Sequence, residues 1–443
     1  MCPSRALEIS FNEHRQYVAR LSGKCSGCGF CTKVCPFYGA QPNEDSVGGA
    51  CFSAIPGVQH LPEVGYYVGS YVGYLSSEER RLSRSSGGLA SWYLSRVLAA
   101  GLADRVICVI PDAGPGRFYR YAILETPEAV FNAARSCYYP VEMSEVLRIV
   151  RDRPGKYALI GLPCFLKGLR KAMGLDRALA RRITAVVGLV CGQTKGGFFG
   201  EYLARLAGAG DGVLKAVVFR AKDINVPAHE LLFTCRYDGG GGERAGRIRW
   251  SQGYGDAWRR GYFKVNACNF CDDIFGEVAD VVFMDAWLPP YNRDPRGTSL
   301  VLARSREAWE LLEAGRRSAE VNLEPLAIEK LVSSQQGVID DKRRGLAVRL
   351  AVAAADGLIV PPKRVALASR VGLLDAWLAR HAMQLSRRSQ AAFLEQTQAG
   401  AGLDVFAERM RSLVRSYEFV RRVSRLWTRL LRAPAKVLRL VRV

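Results

Sequence analysis

Between residues 105 and 303 the chain alternates short unbroken apolar runs with stretches of helical periodicity. RVICVI (105–110), YALIGL (157–162), ITAVVGLV (183–190), LKAVVF (214–219), ADVVFM (279–284) and SLVLA (299–303) are rich in Val and Ile. They are too short for buried helices and predict strands covered on both faces. GLASWYLSRVLAAG (88–101), EMSEVLRIVRD (142–152), FFGEYLARLAG (198–208) and SREAWELLEAG (305–315) space apolar residues three and four apart and predict helices between them. Glycine ends such runs where a left-handed cap is needed. Strand–helix alternation predicts an α/β core with a largely parallel or mixed sheet. The Gly run 239–242 predicts a hairpin or loop tip, and Pro361-Pro362 a boundary. Residues 1–60 show little apolar periodicity, and 363–443 read as helices with Arg-rich faces. The expected division is 1–60, a core over 61–350, and a helical region over 351–443, without an internal repeat.

At 443 residues the chain is long enough for two or three domains and a large core. The opening MCPSRALEIS lacks an apolar signal region, and no run is long enough to span a bilayer. Thirteen cysteines in such a chain point to reduced thiols and metal ligation, with a cytoplasmic location expected. The formal net charge is +21, from 63 Lys+Arg against 42 Asp+Glu. Residues 411–443 alone contribute +9 of it. Basic charge suits an anionic membrane, an acidic protein or cofactor, or nucleic acid. No nucleic-acid fold signature accompanies it.

CSGCGFCTKVCP (25–36) carries the densest chemistry. Cys25, Cys28, Cys31 and Cys35, followed by Pro36, have the C-x2-C-x2-C-x3-C-P spacing of iron–sulfur ligation. Gly27 and Gly29 allow the turns that aim successive sulfurs at one centre. A zinc site needs two paired ligand sets, and the four histidines (14, 60, 229 and 381) are unpaired at ligand spacing. A ferredoxin-like segment holding a [4Fe–4S] cluster is predicted, with Cys35 or Cys51 as its fourth ligand.

Cys164 and Cys191 each follow a predicted strand, and Cys268 and Cys271 form C-x2-C in CNFCDD (268–273). Ligands gather beyond the carboxyl ends of strands in doubly wound sheets. These four thiols therefore predict either a second cluster or, for the strand-end pair, small buried hydrophobes.

SSGGLA (85–90), SCYYP (136–140), IGLPCFLKGLRK (160–171), VGLVCG (187–192), FRAK (219–222), CNFCDD (268–273), ADVVFMDAW (279–287) and GTSLVLARSREAW (297–309) occur in an order that resembles the beta-subunit family of coenzyme F-420 hydrogenase and dehydrogenase. The resemblance covers roughly residues 25–310. It implies an oxidoreductase with FAD and at least one [4Fe–4S] cluster, ligated in the core by Cys164, Cys191, Cys268 and Cys271. Cys137 stands where the family often has Lys, and the N-terminal run is half of the double ferredoxin run of many relatives.

For the flavin, Ser86, Gly87 and Gly88 form a Gly-rich turn at a helix start that suits a phosphate. Thr194 and Lys195, with Gly196 and Gly197, offer a second anion site. Arg220 and Lys222 follow a strand, where a cation can reach the pyrophosphate or the N1 side of the ring. The expected function is electron exchange between a hydride carrier such as coenzyme F-420, FAD, the clusters and a redox partner protein. The alternatives are a ferredoxin-dependent reductase of another small substrate, and a non-enzymatic iron–sulfur protein with a nucleic-acid-binding surface. Leu413, Tyr417, Val420, Val423, Trp427, Leu430 and Leu431 form an apolar stripe among arginines near the C-terminus. That stripe packs on the core, or docks on an anionic membrane or an acidic partner.

Overall fold

Alternate residues of the buried runs enter opposite faces of one sheet, as a pleat with period two requires. Tyr157 and Leu159 join one apolar cluster, and Ala158 and Ile160 the other. Val282 and Met284 split from Val281 and Phe283 in the same way. In this computed structural model residues 2–432 are described, apart from 40, 41, 113, 115 and 134, with side chains described to 426.

The described strands are β1 (Leu7–Phe11), β2 (Tyr17–Leu21), β3 (Gln59–Leu61), β4 (Gly65–Tyr67), β5 (Gly69–Leu75), β6 (Arg105–Pro111), β7 (Tyr119–Leu124) and β8 (Tyr157–Gly161). They continue with β9 (Ile183–Leu189), β10 (Val213–Ala221), β11 (Leu232–Asp238), β12 (Glu243–Arg249), β13 (Val281–Asp285), β14 (Ser299–Ala303) and β15 (Val321–Pro325). Eight form a mixed sheet in the order β15-β5-β14-β13-β9-β8-β6-β7. Its centre, β6, β8, β9 and β13, is parallel. Its flanks are antiparallel. The sheet is thus mixed, because β13 returns to β14 through a loop without an α-helix and must pair antiparallel.

The run at 214–219 departs from the expected alternation. As β10 it pairs with β11, which also pairs with β12, in a separate antiparallel sheet with the Gly run 239–242 at the β11–β12 tip. This sheet and the helices Leu373–Gln398 and Leu403–Arg432 enclose a third, aromatic core around Phe199, Phe219, Phe263 and Phe393.

The predicted helices appear as Leu89–Ala99, Ser144–Asp152, Phe198–Leu206 and Arg306–Arg317. The last runs through Gly315, where a Cβ would lie 2.1 Å from Trp92. That glycine makes room for an indole instead of stopping the helix. The N-terminal segment holds the β1–β2 hairpin and the helices Phe30–Val34 and Glu44–Phe52. Residues 356–372, around Pro361-Pro362, separate helix Leu346–Ala355 from the C-terminal helices. Among the described residues no helix is long and apolar enough to cross a membrane.

Candidate functional site

The carboxyl ends of the parallel strands open on one side of the sheet, where chain crossings leave space for ligands. Cys164 follows β8 as the second residue of helix Pro163–Met173, where the helix dipole favours a thiolate. Cys191 follows β9, and its N–H donates to the Ile274 carbonyl at 3.1 Å. The turn Asn266–Phe270 folds over these strand ends, bringing Cys268 and Cys271. The Thr194 N–H points at the Cys268 sulfur at 3.3 Å. The fold therefore brings these sequence-distant cysteines near one another.

Burial pushes the Cys164 thiol well up, and Cys271, Cys191 and Cys268 push it further. Cys191 rises to about 12 by burial, against the opposing influence of Lys342. Burial also raises Cys271. Cys164, Cys191 and Cys268 nonetheless keep partial accessibility. Buried thiols this close cannot all ionise unless positive charge offsets them. That fits a polynuclear iron–sulfur cluster. Among the described residues no three Cys, His, Asp or Glu groups close on a single metal ion. A cube is ligated at its corners, so its thiolates need not converge on one point.

The N-terminal run lies at the surface. Cys25, Cys28 and Cys31 are exposed and Cys35 half-buried. Gly27 and Gly29 have φ of +71° and +67°, as the predicted turns require. The Phe30 N–H and then the Ser26 hydroxyl lower the Cys28 thiol, and Cys2 lies close enough to oppose them. Cys2 was not singled out from spacing. The run packs on helix Pro163–Met173: Lys171 donates to the Cys35 carbonyl at 3.0 Å. Cys51 is exposed, yet partial enclosure raises its thiol, with Arg170 opposing and Asp280 adding to the effect.

Beside the core thiols, a cleft is lined by Ser85, Ser86, Arg220, Lys222, Asp285, Trp287, Tyr291 and Thr298 among others. Three predicted site residues line it, but both cations are engaged. Arg220 forms a bidentate pair with Asp285 at 2.6 and 2.8 Å, leaving its buried Nε without a partner. Lys222 donates to the carbonyls of Arg81 and Ser86, each at 2.7 Å, and of Arg296. Burial and neighbouring arginines lower it to about 7. Tyr138 connects cleft and thiols, since Arg220, Asp285 and Cys191 all act on its hydroxyl.

Gly87 and Gly88 are fixed by packing. A Cβ at Gly87 would lie 2.7 Å from the Gly73 carbonyl, and one at Gly88 (φ +84°) 2.3 Å from Leu75. The second anion site does not form. Lys195 is fully buried, donates to the Tyr262 carbonyl at 2.8 Å and lies over the Phe199 and Trp258 rings. The Gly196 and Gly197 N–H groups are bonded to the carbonyls of Phe263 and Arg15. Of that turn only Thr194 faces the site, through Cys268. Cys137 is half-buried, its thiol pushed to about 12 by burial.

Residues missed from sequence are Tyr138, Asp285, Trp287 and Lys342. The first three stand in the blocks SCYYP and MDAW, where the motif text gave the signal without the role. Lys342 stands in DDKRRG, which reads as a solvated charged turn.

A family model for the N-terminal part of the coenzyme F-420 hydrogenase/dehydrogenase beta subunit matches residues 70–148. A second, for the C-terminal part of the same beta subunit, matches residues 155–329. Together they span more than half of the chain. No curated protein matches it. A chain from the xenon-derivatised F-420-reducing [NiFe] hydrogenase complex of Methanosarcina barkeri shares the fold with a TM-score of 0.52 and 17% identity. The match covers 68% of this chain and 99% of that one.

Proposed function

The chain belongs to the coenzyme F-420 hydrogenase/dehydrogenase beta-subunit family of oxidoreductase subunits, and from that premise we propose that it exchanges electrons between a hydride carrier and a redox partner protein. The observation that carries this reading is the convergence of Cys164, Cys191, Cys268 and Cys271 beside the Ser86–Arg220–Trp287 cleft. FAD bound in the cleft would supply the change between hydride and single-electron chemistry, and [4Fe–4S] clusters held by the two cysteine sets would carry single electrons. Coenzyme F-420 is the carrier that the family membership favours.

The chain's own residues supply the frame. Ser85 and Ser86 line the cleft and would border the phosphate of a bound cofactor. Arg135 has no carboxylate within ion-pair distance among the described residues and acts on Lys222, so it is a cation near the cleft that an anion could use. The Arg220–Asp285 pair and Tyr138 stand between cleft and thiols. From Cys164 to Lys171 the helix rises about 10 Å. The ferredoxin-like segment thus sits one short helix away from the core thiols.

Anaerobic purification followed by a UV–visible spectrum and iron, sulfide and flavin analysis tests the reading. Two clusters give about eight iron atoms per chain, with FAD present and bleached by reduced coenzyme F-420. Protein assembled with iron but without flavin overturns it, and salt-sensitive retention on nucleic acid in that state favours the non-enzymatic alternative.

A further inference from the structure

Lys342 lies in the π-helical turn Asp341–Gly345, between the helices Gln336–Asp340 and Leu346–Ala355. It is 1% exposed, unusual for an ammonium group. Single π turns inside helices recur at functional sites because they re-aim one side chain. Here the aim is at the cysteine loop: Nζ is 3.3 Å from the Cys271 sulfur and donates to the Asp273 carbonyl at 2.7 Å. The turn is clamped from outside. Arg349 pairs with Asp341 at 2.7 Å and donates to the Asn269 carbonyl at 2.9 Å, so one side chain holds the π turn against the Cys268–Cys271 loop. The residue lies beyond 329, where the family match ends.

We propose that Lys342 sets the reduction potential of the cluster held by Cys164, Cys191, Cys268 and Cys271, through a charged N–H···S bond to Cys271. This rests on the reading of those four residues as ligands. Reduction of the cluster adds one electron; no bond breaks and no proton is taken up, because the cation is already in place. The added negative charge is stabilised more than the oxidised form was, so the potential rises. Hydrogen bonds to sulfur and local charge are the protein's established means of tuning such clusters. The alternative is that Lys342 only neutralises a buried, acid-rich loop.

The test is an EPR-monitored redox titration of the full chain, with iron and sulfide analysis, for wild type, Lys342→Gln, Lys342→Met and Cys271→Ser. The signal lost in Cys271→Ser identifies the core cluster. Lys342→Gln keeps a donor without the charge and Lys342→Met keeps neither. Both are expected to shift that signal to lower potential, Met further than Gln, at wild-type iron content and with the N-terminal signal unmoved. An unshifted potential at full iron content overturns the proposal. So does loss of the cluster from Lys342→Gln, which would make Lys342 an assembly residue. If Lys342→Met fails to assemble, the Gln variant decides. If Cys271→Ser retains all its iron, the ligand reading itself falls.

Discussion

Cys35 and Cys51 competed on spacing alone, and their surroundings now separate them. Cys35 caps helix Phe30–Val34, the helix that carries Cys31. Cys51 sits on another helix, and the charges that act on it are Arg170 and Asp280, with no thiol of the run among them. Cys35→Ser should therefore remove about four iron atoms per chain, while Cys51→Ser leaves iron content and EPR signals unchanged. The reverse pattern in the two variants would sink this assignment. At this scale the cysteine run was legible because ligation would demand strict spacing, and Gly27 and Gly29 have the positive φ expected of its turns. Cations were not legible. Lys195, Lys222 and Arg220 each stand near a strand or helix end, as a cofactor contact would, yet burial turns them onto carbonyls, aromatic rings or Asp285. One-dimensional position does not say which buried acceptor a long side chain reaches.

Helix Glu44–Phe52, the loop after Cys271 and the segment around Pro361-Pro362 are held to one another by buried charge. Arg364 pairs with Glu277, bonds Asp45 at 2.8 Å, and lies 3.6 Å from Asp272. Lys363 pairs with Asp272 at 3.3 Å and lies over the Phe37 ring. Burial, then Glu277 and Glu44, raises the neighbouring Asp273 to about 7, so this loop tolerates little further negative charge. Breaking a buried pair by removing one partner leaves an uncompensated charge and costs about 3–5 kcal/mol. Arg364→Ala should fall near the lower end, because Arg343 remains near Glu277 and Lys363 near Asp272. Thermal unfolding measures the loss, and limited proteolysis should show earlier cutting before residue 60. An unchanged melting temperature would show that the three elements do not stabilise one another. None of this was legible in an amphipathic pattern, which reports burial of apolar residues and is blind to long-range ion pairs. Strand existence was legible for the runs rich in Val and Ile. Strand direction was not, since β14 and β10 carry the same apolar signature as the parallel strands and differ only in what connects them.

Across the whole molecule, the positive charge concentrates on a helix whose two faces have different fates. Leu413, Val414 and Tyr417 pack on the aromatic core, and Glu418 pairs with Arg260 at 2.6 Å. This half of the predicted stripe belongs to the fold, so deleting residues 411–443 would unfold before it undocked anything. Trp427, Leu430, Leu431 and Pro434 lie outside the residues or side chains described. On the outward face, Arg415, Phe419, Arg422 and Leu426 are all exposed, at steps of four, three and four residues along one line. Phe419 and Leu426 are 67% and 59% exposed, a large apolar exposure for side chains set between guanidinium groups. Such a face suits an anionic membrane surface. Each basic residue there contributes about 1 kcal/mol, so Arg415→Gln with Arg422→Gln should weaken binding to vesicles containing anionic lipid by roughly 30-fold. Adding Phe419→Ser and Leu426→Ser should abolish it while melting temperature and cofactor content stay at wild-type values, because the inward face is untouched. Co-sedimentation across a salt series reads this directly. Wild-type protein that ignores anionic vesicles at low salt rules out the membrane and leaves an acidic partner as the occupant. Loss of cofactors in the outward variant would instead assign this face, too, to the core.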